Sequence, residues 1–403
     1  MLFSLLSALV CLPALAEAAA QTKPAKAPSA KIDLLDTLPS QPVEPLTPEL
    51  LQLIAEFRKN PDDVALAVAL SRAYYQHAVR EGELRFIGYA RAVLAPWWTM
   101  ENPPLEVLVM RANLRQYVHQ FPRALEDLDA VLARQPDHVQ ALAIRAAVHT
   151  VGADYAAARA DCARLKPLTN TLIGFACAAS LDSLTGQAQA SYDALSSLLA
   201  RTPRIRPVER LWVVTRLAEM AERIGNHAAA EQRFRQALFI DPRDQYVLAA
   251  YADFLLDQKR PAEVVSLLKD RTSAEHLLLR LVLAEQTLDA PSLAAHKQMV
   301  EEAFASARRE GHPVHEQEES RFVLHVLDQP ERALKLASSN WQVQRESRDA
   351  RVLLDAAVAT GNRQAAEPVL QWLRDSGIED VKLRVLAQAL EEKTTPKAGA
   401  NAS

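Results

Sequence analysis

Apolar residues recur at three- and four-residue spacing from Thr47 to about residue 392, the period of one buried helix face. No stretch alternates apolar with polar residues long enough to predict a strand, so the pattern predicts an all-α chain. Its first run opens at Thr47-Pro48, an N-cap residue followed by proline at the first helical position. It continues as ELLQLIAEFRKN and stops at Pro61. Outside this region the pattern changes. Residues 1–20, MLFSLLSALVCLPALAEAAA, form one apolar run ending in small residues. Residues 21–46 carry repeated prolines and little periodicity, as an extended tether does, and residues 393–403 are polar and unpatterned, which predicts a disordered tail.

Within the helical region the chain matches itself at a fixed shift. A column of small residues runs Ala112, Ala146, Ala179, Ala218, Ala252, in steps of 34, 33, 39 and 34. The columns Ala124, Ala158, Ser191, Ala230, Val264 and Leu128, Cys162, Leu195, Phe234, Leu268 keep the same steps. Pro136, Asn170, Pro203 and Pro242 punctuate the units, Gly186 and Gly225 mark turns inside them, and the long step falls at RTPRIRPVERL. Such a period reads as two helices of about 12 to 14 residues joined by a tight turn. Small side chains let the paired backbones approach closely, and the larger column fills the gap beside them. A proline after each second helix keeps neighbouring helices from fusing.

In RIGNHAAAEQRFRQALFIDP, residues 223–242, Gly225, Ala230, Phe234, Ala237, Asp241 and Pro242 follow the pattern of the tetratricopeptide repeat, and the chain resembles that family over 105–278. In VHQFPRALEDLDAVLARQPD, Phe121, Ala124 and Pro136 match, while Leu128 and Val131 replace the usual aromatic and alanine. Residues 47–104 read as a degenerate helical N-terminal cap and 279–392 as degenerate repeats, although VATGNRQAAEPVLQWL near the end echoes ERIGNHAAAEQRFRQA. The resemblance implies an α-solenoid of antiparallel helix pairs. First helices would line a concave surface that binds a protein or peptide, and second helices would form the convex one. Projection of the first helices places Asn113, Tyr117, Trp212, Glu219, Arg223, Tyr246 and Asp253 on the concave face. Aromatic, acidic and basic groups together suit a peptide segment; the alternative is that individual members pack or solvate that face. Chaperone-binding members grip a carboxylate with polar inner residues, but Val109 and Ile144 stand where those would be wanted, which argues against such a clamp.

Composition narrows the function. Only 6% of the 403 residues are aromatic and there are 10 glycines, which favours helices packed through Ala, Leu and Val. The formal charge of -4, with no basic stretch carrying interleaved aromatics, argues against a nucleic-acid partner. The first twenty residues read as an export signal, with Ala14-Leu15-Ala16 and Ala18-Ala19-Ala20 as cleavage patterns, although no Lys or Arg precedes the apolar run. Val10 before Cys11 does not fit a lipidation motif, and no later segment is expected to span a membrane. The abundance of Ala and Arg points to a bacterial source, so the expected compartment is the periplasm.

Candidate chemistry is sparse. Cys162 and Cys177 lie symmetrically about Thr169-Asn170, the expected turn between two antiparallel helices. This puts them at one height for a disulfide, with two buried free thiols as the alternative. GHPVHEQEESRFVLH, residues 311–325, gathers His312, His315 and Glu316 as candidate metal ligands or part of a small-ligand site. No HExxH, EF-hand or CxxC pattern supports a metal, and a loop followed by a helix start is the simpler reading. A phosphate-cradling glycine loop and a nucleophile elbow are both missing, so no enzyme activity and no cofactor is expected. Trp97 and Trp98 in PWWTMENPP read as a plug beside the regular array rather than an exposed docking patch, since an exposed pair is costly.

Overall fold

The computed structural model describes residues 46–83, 85–309 and 316–394, and among these every regular element is a helix. They form two compact units, divided between Arg145 and Ala146 inside the helix Val139–Val151. That division falls within the stretch that the repeat columns join as one array.

The first unit holds α1 (Pro48–Lys59), α2 (Val64–Glu81), α3 (Arg85–Val93), α4 (Ala95–Trp98), α5 (Leu105–Tyr117) and α6 (Phe121–Arg134), and α7 (Val139–Val151) begins in it. The Thr47 side chain accepts the Leu50 N–H at 3.3 Å, and α1 ends at Asn60, as the Pro61 stop requires. Short α4 touches both α3 and α5 and buries Trp97 to 1% exposure, so this ring is a plug. Trp98 lies under the Arg91 and Arg115 guanidinium groups at 5.2 and 5.8 Å. Asp127 is buried between Arg111 and Arg115, each at 2.7 Å, which neutralises a carboxylate that burial would otherwise penalise.

The second unit continues with α8 (Tyr155–Leu165), α9 (Thr171–Ser183), α10 (Ala188–Ala200), α11 (Pro207–Arg223), α12 (His227–Ile240), α13 (Gln245–Asp257) and α14 (Pro261–Leu268). Then come α15 (Glu275–Thr287), α16 (Leu293–Arg309), α17 (Glu316–His325), α18 (Pro330–Val343), α19 (Ser347–Thr360), α20 (Arg363–Ser376) and α21 (Val381–Thr394). All three sequence columns are buried, from Ala112 at 0% to Ser191 at 6%. The small groups are therefore the helix contacts that the repeat required.

The backbone carries a further column that glycine only partly marks. Positive φ occurs at His119, Ala153, Gly186, Gly225, Lys259, Asp289, Asp328 and Gly361, once in the turn of each pair. Except after Asp289, the residue that follows is the N-cap of the second helix, and Asp154, Asn226 and Asn362 each cap it by accepting an N–H three residues on. The column runs on through Asp289, Asp328 and Gly361, so the paired architecture persists where the sequence columns fade. Exposed Lys259 sits in this left-handed conformation at φ 57°. Lys259→Gly is therefore expected to stabilise the protein by about 1 kcal/mol in chemical denaturation; a loss of stability would show that the turn is not strained.

Odd-numbered helices of the second unit form its inner layer: α13 touches α15, α15 touches α17, α17 touches α19 and α19 touches α21. The layer curves until its ends meet. Trp372 Nε1 donates to the Tyr155 hydroxyl at 3.2 Å, Ala188 N–H donates to Glu379 at 2.6 Å, and Arg345 N–H donates to the Val151 carbonyl at 2.8 Å. The last three helices thus lie against the first ones of the same unit.

Candidate functional site

The space enclosed by this closure is the candidate site. Helix α11 supplies Arg216, Glu219, Glu222 and Arg223, whose spacing puts them on one face, and α13 supplies Tyr246 and Asp253. Arg321 and His325 come from α17, Arg348 and Arg351 from α19, and Lys382 from α21. Together with Ser180, Ser183 and the Cys162–Cys177 pair they line a cavity of about 170 Å³.

Glu219 is the hub. It accepts from Arg216 at 2.7 Å, from Arg348 at 3.4 Å and from the Tyr246 hydroxyl. Arg348 and Arg216 also lie over the Tyr246 ring, at 4.8 and 5.5 Å. Burial pushes the Tyr246 phenol up to about 12, so it stays a neutral donor. Arg223 donates to Ser183 Oγ at 2.7 Å, while its Nε is buried without an acceptor. Burial lowers the Arg223 guanidinium below its ordinary value.

The inner face is already partly occupied by the chain itself. Arg351 forks onto Asp257 at 2.6 and 2.8 Å, and Lys382 bridges Glu222, at 2.6 Å, and Asp257. Burial would raise the Asp253 carboxyl, but Arg280, Arg321 and Arg348 hold it well below the usual carboxylate range. Burial, reinforced by Arg321 and Arg351, depresses the His325 imidazole to about 4.

Of the residues projected onto the concave face, Glu219, Arg223, Tyr246 and Asp253 converge on this cavity. Asn113, Tyr117 and Trp212 do not offer a partner surface. Asn113 is fully buried and its side-chain oxygen accepts from Gln116 at 3.3 Å. Tyr117 is buried edge-on to Tyr75 at 5.7 Å, and Trp212 is only 2% exposed. First helices of successive pairs pack on one another, as α2 does on α5 and α9 on α11, so part of the projected face is consumed in packing. The projection missed Arg216 on the same helix face, and also Arg348, Arg351 and Lys382, which the degenerate region brings back through closure. Nothing local in the sequence marks those three.

Cys162 and Cys177 are joined as a disulfide, with Cα atoms 5.6 Å apart. His312 and His315 lie outside the described residues, and Glu316 begins α17. Among the described residues no cluster of three metal-ligating side chains is present. No helix among them is long and apolar enough to cross a membrane.

Paired helices, a buried small-residue seam and a polar inner surface define a helical-repeat protein of the interaction-scaffold class. Residues 181–294 match the family model described as tetratricopeptide repeat. Comparison with curated proteins finds no match. Among solved structures it is similar to a tetratricopeptide repeat protein from Parabacteroides merdae, with 15% identity, a TM-score of 0.29, and 76% of this chain and 90% of that one covered. It is also similar to the P58(IPK) TPR domain, with 14% identity, a TM-score of 0.22 and coverage of 85% and 92%. These superpositions are too loose to add to what the helix pairs themselves show.

Proposed function

We propose that the chain is an exported, non-catalytic adaptor of the bacterial cell envelope that binds a protein or peptide segment at the inner cavity of residues 146–394. The observation that carries this reading is the preassembled cluster of Arg216, Glu219, Tyr246 and Arg348 facing the cavity. Groups held in place before binding lose little freedom when a ligand arrives. Because the chain's own last helices cover part of the face, the fitting partner is a narrow extended segment rather than a helix. The Cys162–Cys177 bond supports an oxidising compartment.

A second reading, a small polar ligand, is favoured by one feature: about 170 Å³ suits a small molecule or a few side chains. Photocrosslinking in the native envelope separates the two. A photoreactive residue at exposed Arg345 on the cavity wall is expected to give one discrete protein adduct, and one at exposed Gln232 none. Folded protein without an adduct at position 345 would reject the protein-binding reading in favour of the small ligand. Recovery of the chain in the cytosolic fraction would reject export.

A further inference from the structure

The one irregular step of the repeat, RTPRIRPVERL, lies outside the cavity just described and creates a different chemical environment. Beside it Ser196, Leu199 and Ala200 of α10, Pro203 and Arg210 of the insertion, and Arg233 and Gln236 of α12 line a separate cavity of about 270 Å³. Its lining contains two arginines and no carboxylate. Arg206 nearby pairs with Glu209 at 2.6 Å, whereas Arg201, Arg204, Arg210 and Arg233 pair with no carboxylate among the described residues.

The hydrogen bonds sharpen the picture. Arg233 donates to Ser196 Oγ at 2.6 Å and to Gln236 Oε1 at 3.0 Å, which occupies an acceptor on each residue and leaves the Ser196 hydroxyl proton and the Gln236 amide N–H groups to donate. Arg233 Nε is buried with no acceptor. Arg210 is held over the insertion by the carbonyls of Thr202, at 3.3 Å, and Pro203, at 2.9 Å, so its planar fork is fixed without being neutralised. The cavity is therefore rich in donors, carries two positive charges and has exposed Arg201 and Arg204 nearby.

We propose that this cavity binds a doubly charged oxyanion, a phosphate group, through Arg210 and Arg233 with Ser196 and Gln236 as neutral donors. Two guanidinium groups match the charge of a phosphate monoester, and the N–H groups not used by their present acceptors can donate charge-assisted hydrogen bonds to it. The site is independent of the inner cavity, and its failure would leave the adaptor reading untouched.

The test is calorimetric titration of the full chain with inorganic phosphate against chloride at matched ionic strength. Wild type is expected to bind phosphate with Kd of about 1 mM, as a small exposed anion site does, and Arg210→Gln or Arg233→Gln to weaken it about tenfold. Ser196→Ala, which removes one donor and no charge, is expected to weaken binding a few-fold with an unchanged melting temperature. It keeps the test decisive if either arginine variant fails to fold. Equal heats with phosphate and chloride, or binding unchanged in folded variants, would overturn the site. Flotation with phosphatidylcholine vesicles containing phosphatidic acid separates the sources. Capture that phosphate competes away and Arg233→Gln abolishes assigns a lipid headgroup, and phosphate binding without capture assigns a soluble phosphate ligand.

Discussion

Arg280→Met is expected to lower the unfolding free energy by about 3 kcal/mol at pH 7, the loss typical of breaking a buried ion pair from one side. Arg280 has no exposed surface. It donates to Asp253 at 2.7 Å, to Glu318 at 3.0 Å and to the carbonyls of Ala249 and His276 at 3.2 and 2.6 Å. Methionine fills the volume but leaves Glu318, 2% exposed, with only Arg321 at 3.8 Å, and Asp253 with Arg321 at 2.9 Å. The pH dependence follows from the signs. Burial would raise both carboxyls, but Arg280 and Arg321 hold them below the ordinary range. Their contribution is thus present above the unfolded value near pH 4 and lost as pH falls through the folded ones. In the variant burial prevails at Glu318, and protonation relieves the cost. Denaturation at pH 7 and pH 4.5 should therefore show the gap between wild type and variant narrowing in acid. A gap of the same size at both values would reject the ion-pair account in favour of lost packing.

Opening the Cys162–Cys177 bond has the next largest expected effect. It closes a loop of 15 residues between α8 and α9, and in the chain-entropy account such a bridge contributes about 3 kcal/mol. For a unit of this size that is roughly 6–12 °C in melting temperature. The turn it spans is tight: a Cβ on Gly174 would stand 2.9 Å from Lys166 Cα, so the two segments meet there at backbone contact. Melting with and without reductant, beside the Cys162→Ala/Cys177→Ala double variant, should show the reduced protein and the variant melting together below the oxidised form. Alkylation of both thiols in unreduced, denatured protein would remove the bond and the prediction.

The sequence alone determined the helical pairs, because their contacts are local and periodic: Ala112, Ala124 and Leu128 sit at spacings that only close helix packing explains, and all are buried. It also placed Cys162 opposite Cys177, since symmetry about one turn is a short-range fact. Part of the inner site was legible for the same reason, as Glu219, Arg223, Tyr246 and Asp253 follow from the phase of their own helices. Trp212 and Asn113 were placed by that same phase, yet packing between successive first helices, which phase does not contain, buries them. Only the tertiary structure decided that Arg348, Arg351 and Lys382 return to Glu219, Glu222 and Asp257, across separations of 94 to 160 residues. Curvature accumulates from small rotations at every helix pair, and whether the ends meet depends on their sum, to which no single stretch of sequence corresponds.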